Sequence, residues 1–253
     1  MMDVLLAPNQ IHWTHELVKK FWDGFSQTRL REFSFSRQAG RSLLIAIDHL
    51  LPRNGQILDF GAGDGDLIRF LCEKGLFAAA YEPSENRALK LTKNLEKCTG
   101  FLGTVGTSTD KTFDLVLIVE VIEHILDDDL DNCLNRLKTL VRTGGLIIVT
   151  TPNNEDLDLG MAYCPLSNTL FHRWQHVRSF THESLVELLS VYGFEEIATH
   201  RIEFNNALYV PYDQHWGDED SKELPSHIQE LRANRPVSIG GENNLLYIGR
   251  LRG

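Results

Sequence analysis

No two of the four cysteines lie close enough in sequence to act as a pair. Cys72, Cys98, Cys133 and Cys164 stand far apart and no CxxC occurs. That excludes a thiolate zinc site and a disulfide framework, and it suits a reducing compartment. Basic residues are in deficit: 25 Lys and Arg stand against 35 Asp and Glu, for a formal net charge of −10. This balance disfavours broad phosphate neutralisation, and with it a nucleic-acid partner. No apolar run approaches the roughly 18 residues of a membrane span. The start "MMDVLLAPNQ" has neither the basic stretch nor the long apolar centre of a signal peptide. These absences lead us to expect a cytoplasmic protein without a membrane span.

What is present is a full core and a strand–helix alternation. Hydrophobic residues make up 42% of the 253, enough for one large domain. Over residues 11–51, Trp13, Leu17, Phe21, Trp22 and Phe25 recur at spacings of three and four, as do Leu43, Leu44, Ile47, Leu50 and Leu51. That is a helical period. Beyond "PRNG" the chain alternates. Strands are expected in "QILDF", "LFAAAY", "GFLGTV", "FDLVLIVE", "GGLIIVTTPN", "FEEIATH" and "NNLLYIGRL". Helices fall between them, one over roughly 128–141. Such alternation predicts an α/β fold with a seven-stranded, mostly parallel sheet covered on both faces and an N-terminal helical extension. We read 1–253 as a single domain in which the helices of 1–51 form a lid. The stretches 152–180 and 211–243 interrupt the pattern and are expected near the substrate or on the surface.

The first strand runs into "ILDFGAGDGDL", with Gly61, Gly63 and Gly65 at a turn before a helix. Glycine permits the sharp turn and the close approach of a ligand. Glu82 ends the next strand, where a carboxylate can hold a ribose at the switch point of a doubly wound sheet. A dinucleotide site shares these features, but Asp59, Asp64 and Asp66 crowd the turn and would repel a pyrophosphate. They suit a cofactor that carries an ammonium and a sulfonium, which S-adenosylmethionine (SAM) does. A purely structural alternative is a plain glycine turn in which Asp66 serves the helix dipole.

At this point the sequence resembles the class I SAM-dependent methyltransferases. "ILDFGAGDG" is similar to their first motif and "YEPS" to their second. "FDLVLIVEVIEHI" and "GGLIIVTTPN" resemble their fourth- and fifth-strand segments. The resemblance covers about residues 40–200 and implies a Rossmann-like sheet. It implies that Asp59, Gly61 and Gly63 border the methionine part of SAM and that Glu82 binds the ribose hydroxyls. The family's acidic position after the third strand has no match in "GTVGTSTDKT", so the resemblance assigns no adenine contacts.

The fourth strand ends in "EVIEH". If a helix begins near Glu120, then Glu120, Glu123 and His124 share one of its faces. Two active readings stay open, beside a structural one in which these are first-turn acids and a packed histidine. In one reading the three side chains, with His176 from "FHRWQHVR", hold a hard divalent cation such as Mg²⁺ that polarises an acceptor hydroxyl. In the other, Glu120 faces the cofactor's cationic end and His124 or His176 is a general base. Similar E-x-x-E-H segments with a later histidine occur in ubiquinone-pathway O-methyltransferases and in small-RNA 3′-end 2′-O-methyltransferases. Arg173 or Arg178 is a candidate partner for an anionic substrate group. The acidic run "DDDLD" reads as a solvated helix start. The leading expectation is O-methylation of a small-molecule or sugar-like acceptor. The alternatives are 2′-O-methylation of an RNA 3′ end, a non-catalytic binding module on the same fold and, more distantly, a nicotinamide dehydrogenase.

Overall fold

The computed structural model of the chain describes residues 7–106, 108–204 and 225–253. It opens with β1 (Asn9–Gln10), α1 (His15–Gln27), a 3-10 helix (Arg29–Phe33) and α2 (Phe35–Ala46). Thr14 starts α1 by accepting the Leu17 N–H on its side chain, which satisfies one otherwise orphaned donor. The alternating part follows as β2 (Gln56–Phe60), α3 (Asp66–Glu73), β3 (Phe77–Tyr81), α4 (Glu85–Leu95), β4 (Phe101–Thr104) and β5 (Phe113–Val119). Then come α5 (Asp127–Leu140), β6 (Val141–Pro152), β7 (Met161–Cys164), β8 (Thr169–His172), α6 (His182–Val191) and β9 (Phe194–Ile202). A short helix (Ser226–Arg232), β10 (Ser238–Ile239) and β11 (Asn244–Leu251) complete it.

The main sheet runs β10-β9-β11-β6-β5-β2-β3-β4. Every neighbouring pair is parallel except those of β11, which runs antiparallel to β6 and β9. All seven expected strands are present, and β10 adds a two-residue edge to make eight. The unbroken apolar run of β5 has a simple cause. Leu115, Leu117 and Val119 pack into the core beneath α2, α3 and α4. Val116 and Ile118 pack into the opposite core, beneath α5 and α6. A strand buried on both faces has no polar side to show. Because β2 is flanked by β3 on one side and β5 on the other, the chain reverses direction there. The carboxyl ends of β2 and β5 thus form the switch point where ligands of such sheets bind.

One expectation is corrected here. The stretch 152–180 is no plain loop: it holds a 3-10 helix (Leu157–Gly160) and the β7–β8 hairpin, and β1 pairs parallel with β8 to give a separate three-stranded sheet. The strands are too short for a period to show, and one partner comes from the far N-terminus. Residues 205–224, which include the start of the 211–243 insertion, lie outside the described residues. The rest of that insertion carries the short helix and β10.

Candidate active site

A cleft of about 970 Å³ opens at the switch point. Its wall includes Gly61, Gly63, Glu82, Glu120, His124 and His176, and α1 contributes Trp22 and Phe25. The glycine turn is bare for a steric reason. Gly61 has φ +84°, and a Cβ there would sit 2.6 Å from Val121 Cγ2. Both facts exclude a side chain. The Gly63 N–H donates to Glu82 Oε2 at 3.0 Å, and the Ser84 N–H donates to Oε1 at 3.0 Å. Arg87 stands 3.6 Å from the same carboxylate. Burial pushes the Glu82 pKa up, against the pull of Arg87.

The acids of the turn do not act as three free charges. Asp64 pairs with Lys90 at 3.3 Å, and Asp66 pairs with Arg69 at 2.8 Å and Arg37 at 3.3 Å. The expected repulsion of a pyrophosphate is therefore largely neutralised, by Arg69 one turn along the same helix and by Lys90 and Arg37, which are distant in sequence. Asp59 is 3% exposed on β2 and is not part of the cleft wall. Burial, with Glu82 adding to it, pushes its pKa up to about 7.

The helix expected from Glu120 does not form. Glu120 has φ +51°, which an α-helix cannot accept, and its N–H still donates to Thr150 O across the sheet at 3.0 Å. A single 3-10 turn, Ile122–His124, follows, and α5 starts only at Asp127. Glu120 therefore parts from the other two, while Glu123 Oε1 stays 3.7 Å from His124 Nε2. The Glu120 carboxylate accepts from Asn244 Nδ2 at 3.2 Å, and burial lifts its pKa to about 7. Glu123 turns inward, 1% exposed, and accepts from Thr151 Oγ1 at 3.0 Å. Burial first, then Glu120, push its pKa well up.

His124 meets the segment 172–178. Its ring packs edge-on to Trp22 with centroids 4.8 Å apart, and lies 4.9 Å from the His176 ring. Burial, with His176 adding, holds its pKa well below the usual range. Gln175, with φ +63° and fully buried, ties three parts together. Its Oε1 accepts from Trp22 Nε1 at 2.8 Å, and its Nε2 donates to His124 O at 3.0 Å. His176 Nδ1 lies 2.5 Å from Glu155 Oε2.

Among the described residues, two groups bring metal-ligating atoms within 4.8 Å of one another: Glu123, His124 and His176, and Glu155, His172 and His176. The expected quartet is thus reduced to three, because Glu120 is in neither group. The first group fits a cation in one respect, since Glu123 Oε1 is buried without a hydrogen bond. Two imidazoles and one carboxylate are, however, more nitrogen-rich than Mg²⁺ prefers. The arginines proposed for an anionic group are elsewhere. Arg178 is held by Ile122 O at 2.9 Å and Asp127 at 2.5 Å, and Arg173 is exposed. Trp22, Arg87 and Glu155 were not legible as site residues: each arrives from a different element, with no motif spacing to connect them.

The family of methyltransferase domains matches residues 34–199, and the chain belongs to it. It is a class I SAM-dependent methyltransferase and an enzyme of that class. Among curated relatives, the ubiquinone biosynthesis O-methyltransferase of Rhizobium johnstonii is 28% identical over 201 residues, covering 72% of this chain and 73% of its own. That of Rhizobium etli is 30% identical over 144 residues, 52% of this chain and 54% of its own. The human mitochondrial enzyme of the same name is 24% identical, covering 76% of this chain and 56% of its own. Two of these three relatives are thus spanned over little more than half their length. Among solved structures, the 1,6-didemethyltoxoflavin-N1-methyltransferase of Burkholderia thailandensis, bound to 1,6-didemethyltoxoflavin and S-adenosylhomocysteine, has a TM-score of 0.60. It is 18% identical, covering 100% of this chain and 98% of its own. This structure supports the fold. Among the described residues no helix is long and apolar enough to cross a membrane.

Proposed function

We propose that the enzyme methylates a hydroxyl of a small-molecule acceptor. The observation that carries this reading is the placement of His124 and His176 in one cleft with the glycine turn and Glu82. The residues fit SAM: the turn is bare where a Cβ would clash, and Glu82 keeps acceptor lone pairs beyond the two backbone bonds it makes. Gly61 and Gly63 would border the cofactor, Glu82 would hold its ribose hydroxyls, and Glu120 would face its cationic end. When bound, SAM supplies a methyl group on a sulfonium. The chain's own residues do the rest. Trp22, Phe25 and Trp174 give the cleft aromatic walls that exclude water and suit an aromatic or apolar acceptor. His124, kept neutral by burial, shapes the floor. His176 accepts the hydroxyl proton. The naming of several relatives as O-methyltransferases supports the choice of oxygen.

A second reading is favoured by the buried Glu123 Oε1, which makes no hydrogen bond and lies 3.7 Å from His124 Nε2. There Glu123, His124 and His176 would hold a divalent cation that lowers the pKa of the acceptor hydroxyl. One assay separates the readings: transfer of labelled methyl from SAM to a panel of phenols, catechols, amines and small RNAs, with and without EDTA. Transfer to a hydroxyl that survives EDTA supports the metal-free reading. Loss restored by a divalent cation supports the second. Transfer to amines alone overturns both.

A further inference from the structure

We propose that Glu155 is a positioning residue that fixes the tautomer of His176, and that His172 holds Glu155 in place. The inference begins at His172, which is 1% exposed. Its Nδ1 accepts two backbone N–H groups, from His176 at 3.1 Å and from Trp174 at 3.4 Å. An imidazole nitrogen that accepts cannot carry a proton. The single proton of neutral His172 therefore sits on Nε2. That N–H cannot also be a metal lone pair, so the group Glu155, His172 and His176 is not a cation site in this arrangement.

The His172 Nε2–H lies 3.4 Å from Glu155 Oε1, without the alignment of a full hydrogen bond. The other oxygen, Oε2, lies 2.5 Å from His176 Nδ1. A carboxylate only accepts, so His176 must place its proton on Nδ1. The remaining nitrogen, Nε2, then holds the lone pair. The rings of His172 and His176 stack with centroids 4.5 Å apart and planes within 24°, which keeps both edges turned toward the one carboxylate. A chain of contacts thus runs from two backbone N–H donors, through His172 and the accepting Glu155 carboxylate, to His176. It leaves His176 with one defined acceptor atom in the cleft. The order of events parallels the general role of a carboxylate behind a working imidazole.

The consequence for turnover rests on the reading of His176 as the group that meets the acceptor. The tautomer itself does not. The test is therefore read at two places, on the full chain with S-adenosylhomocysteine bound or with SAM turning over. Two-dimensional ¹⁵N spectra of the imidazoles report the tautomer, with His176 assigned by its loss in His176→Gln. The expected result is an Nδ1–H His176 in the wild type and a mixture of both tautomers in Glu155→Ala. Glu155→Gln, which keeps the shape but offers one acceptor oxygen instead of two, gives an intermediate mixture and guards against a folding defect in the alanine variant. In turnover, both variants lower kcat by about 100-fold while KM for SAM changes less than twofold. An Nε2–H His176 in the wild type, or a tautomer unchanged in both variants, overturns the proposal. A tautomer that shifts with no loss of kcat supports the positioning and overturns the role of His176 as base.

Discussion

The backbone N–H of Gly63 donates to the Glu82 carboxylate at 3.0 Å, so the acid that follows β3 is built into the glycine turn that follows β2. Two segments that are separate motifs in sequence are one structural unit. The same carboxylate has lone pairs left for a diol. Glu82→Ala is expected to weaken S-adenosylhomocysteine binding by about tenfold, the scale of one lost charge-assisted hydrogen bond. Calorimetry on the variant checks it, and unchanged affinity sinks the ribose assignment.

His124 and His176 lie beyond the glycine turn, with ring centroids 4.9 Å apart. Replacing either by alanine should leave S-adenosylhomocysteine affinity within about twofold and reduce turnover, by about 100-fold or more for His176, the usual scale of a lost acid–base group. Full activity of both variants on the true acceptor would mean that the acceptor site lies elsewhere.

Much of the fold was legible because its signals are local. The run Phe113–Val119 read as a strand buried on both faces, and the two core clusters take its alternate residues. The strand, turn and helix around Gly61, Gly63 and Gly65 were legible because glycine permits the sharp turn. What failed was non-local. The helix expected from Glu120 gave way to a positive φ and a ladder bond to Thr150 that no window of sequence contains. The charges of Asp64 and Asp66 looked free because Lys90 and Arg37 come from other helices. Glu155 was overlooked because its meaning depends on His176, across a hairpin that the sequence showed only as an interruption.

Asp59 predicts a pH effect with a definite sign. Its usual pKa is 3.8, and burial raises it to about 7 in the folded chain. Between those values the folded protein holds a proton that the unfolded chain has lost. Stability from this group therefore falls as pH rises through the window, by at most about 1.4 kcal/mol per pH unit. Asp59→Asn cannot titrate and escapes the loss. Its melting temperature relative to the wild type, without ligand, should rise between pH 5 and pH 8. A constant difference across that range refutes the raised pKa.

Helix α1 is fastened over the cleft by a few polar contacts. Asp23 accepts from Ser84 Oγ at 2.7 Å and Asn86 Nδ2 at 3.3 Å on the far side of the cleft mouth. Lys90 donates to Ser26 O at 2.6 Å. If this helix is the lid that retains the cofactor, Asp23→Ala should speed S-adenosylhomocysteine dissociation by about fivefold, the worth of roughly 1 kcal/mol of hydrogen bonding. Stopped-flow displacement measures it. An unchanged off-rate with unchanged protease resistance of α1 shows that the helix is a fixed wall.

Gly160 ends the 3-10 helix Leu157–Gly160 directly against His172. A Cβ at this position would lie 1.8 Å from His172 Nε2 and 2.4 Å from Cδ2. The ring cannot retreat, because its Nδ1 is held by the N–H groups of Trp174 and His176. Gly160→Ala must therefore displace either the short helix or the imidazole. Overpacking of this kind costs about 1–3 kcal/mol, so the melting temperature should fall by several degrees. The more telling consequence is local. If His172 moves, Glu155 loses the partner on its Oε1 and His176 loses its stacked neighbour. Turnover should then fall further than the loss of folded protein explains, while S-adenosylhomocysteine affinity, which depends on the turn and Glu82, stays near the wild-type value. Equal loss of both would show that the damage spreads through the whole cleft rather than along the histidine chain.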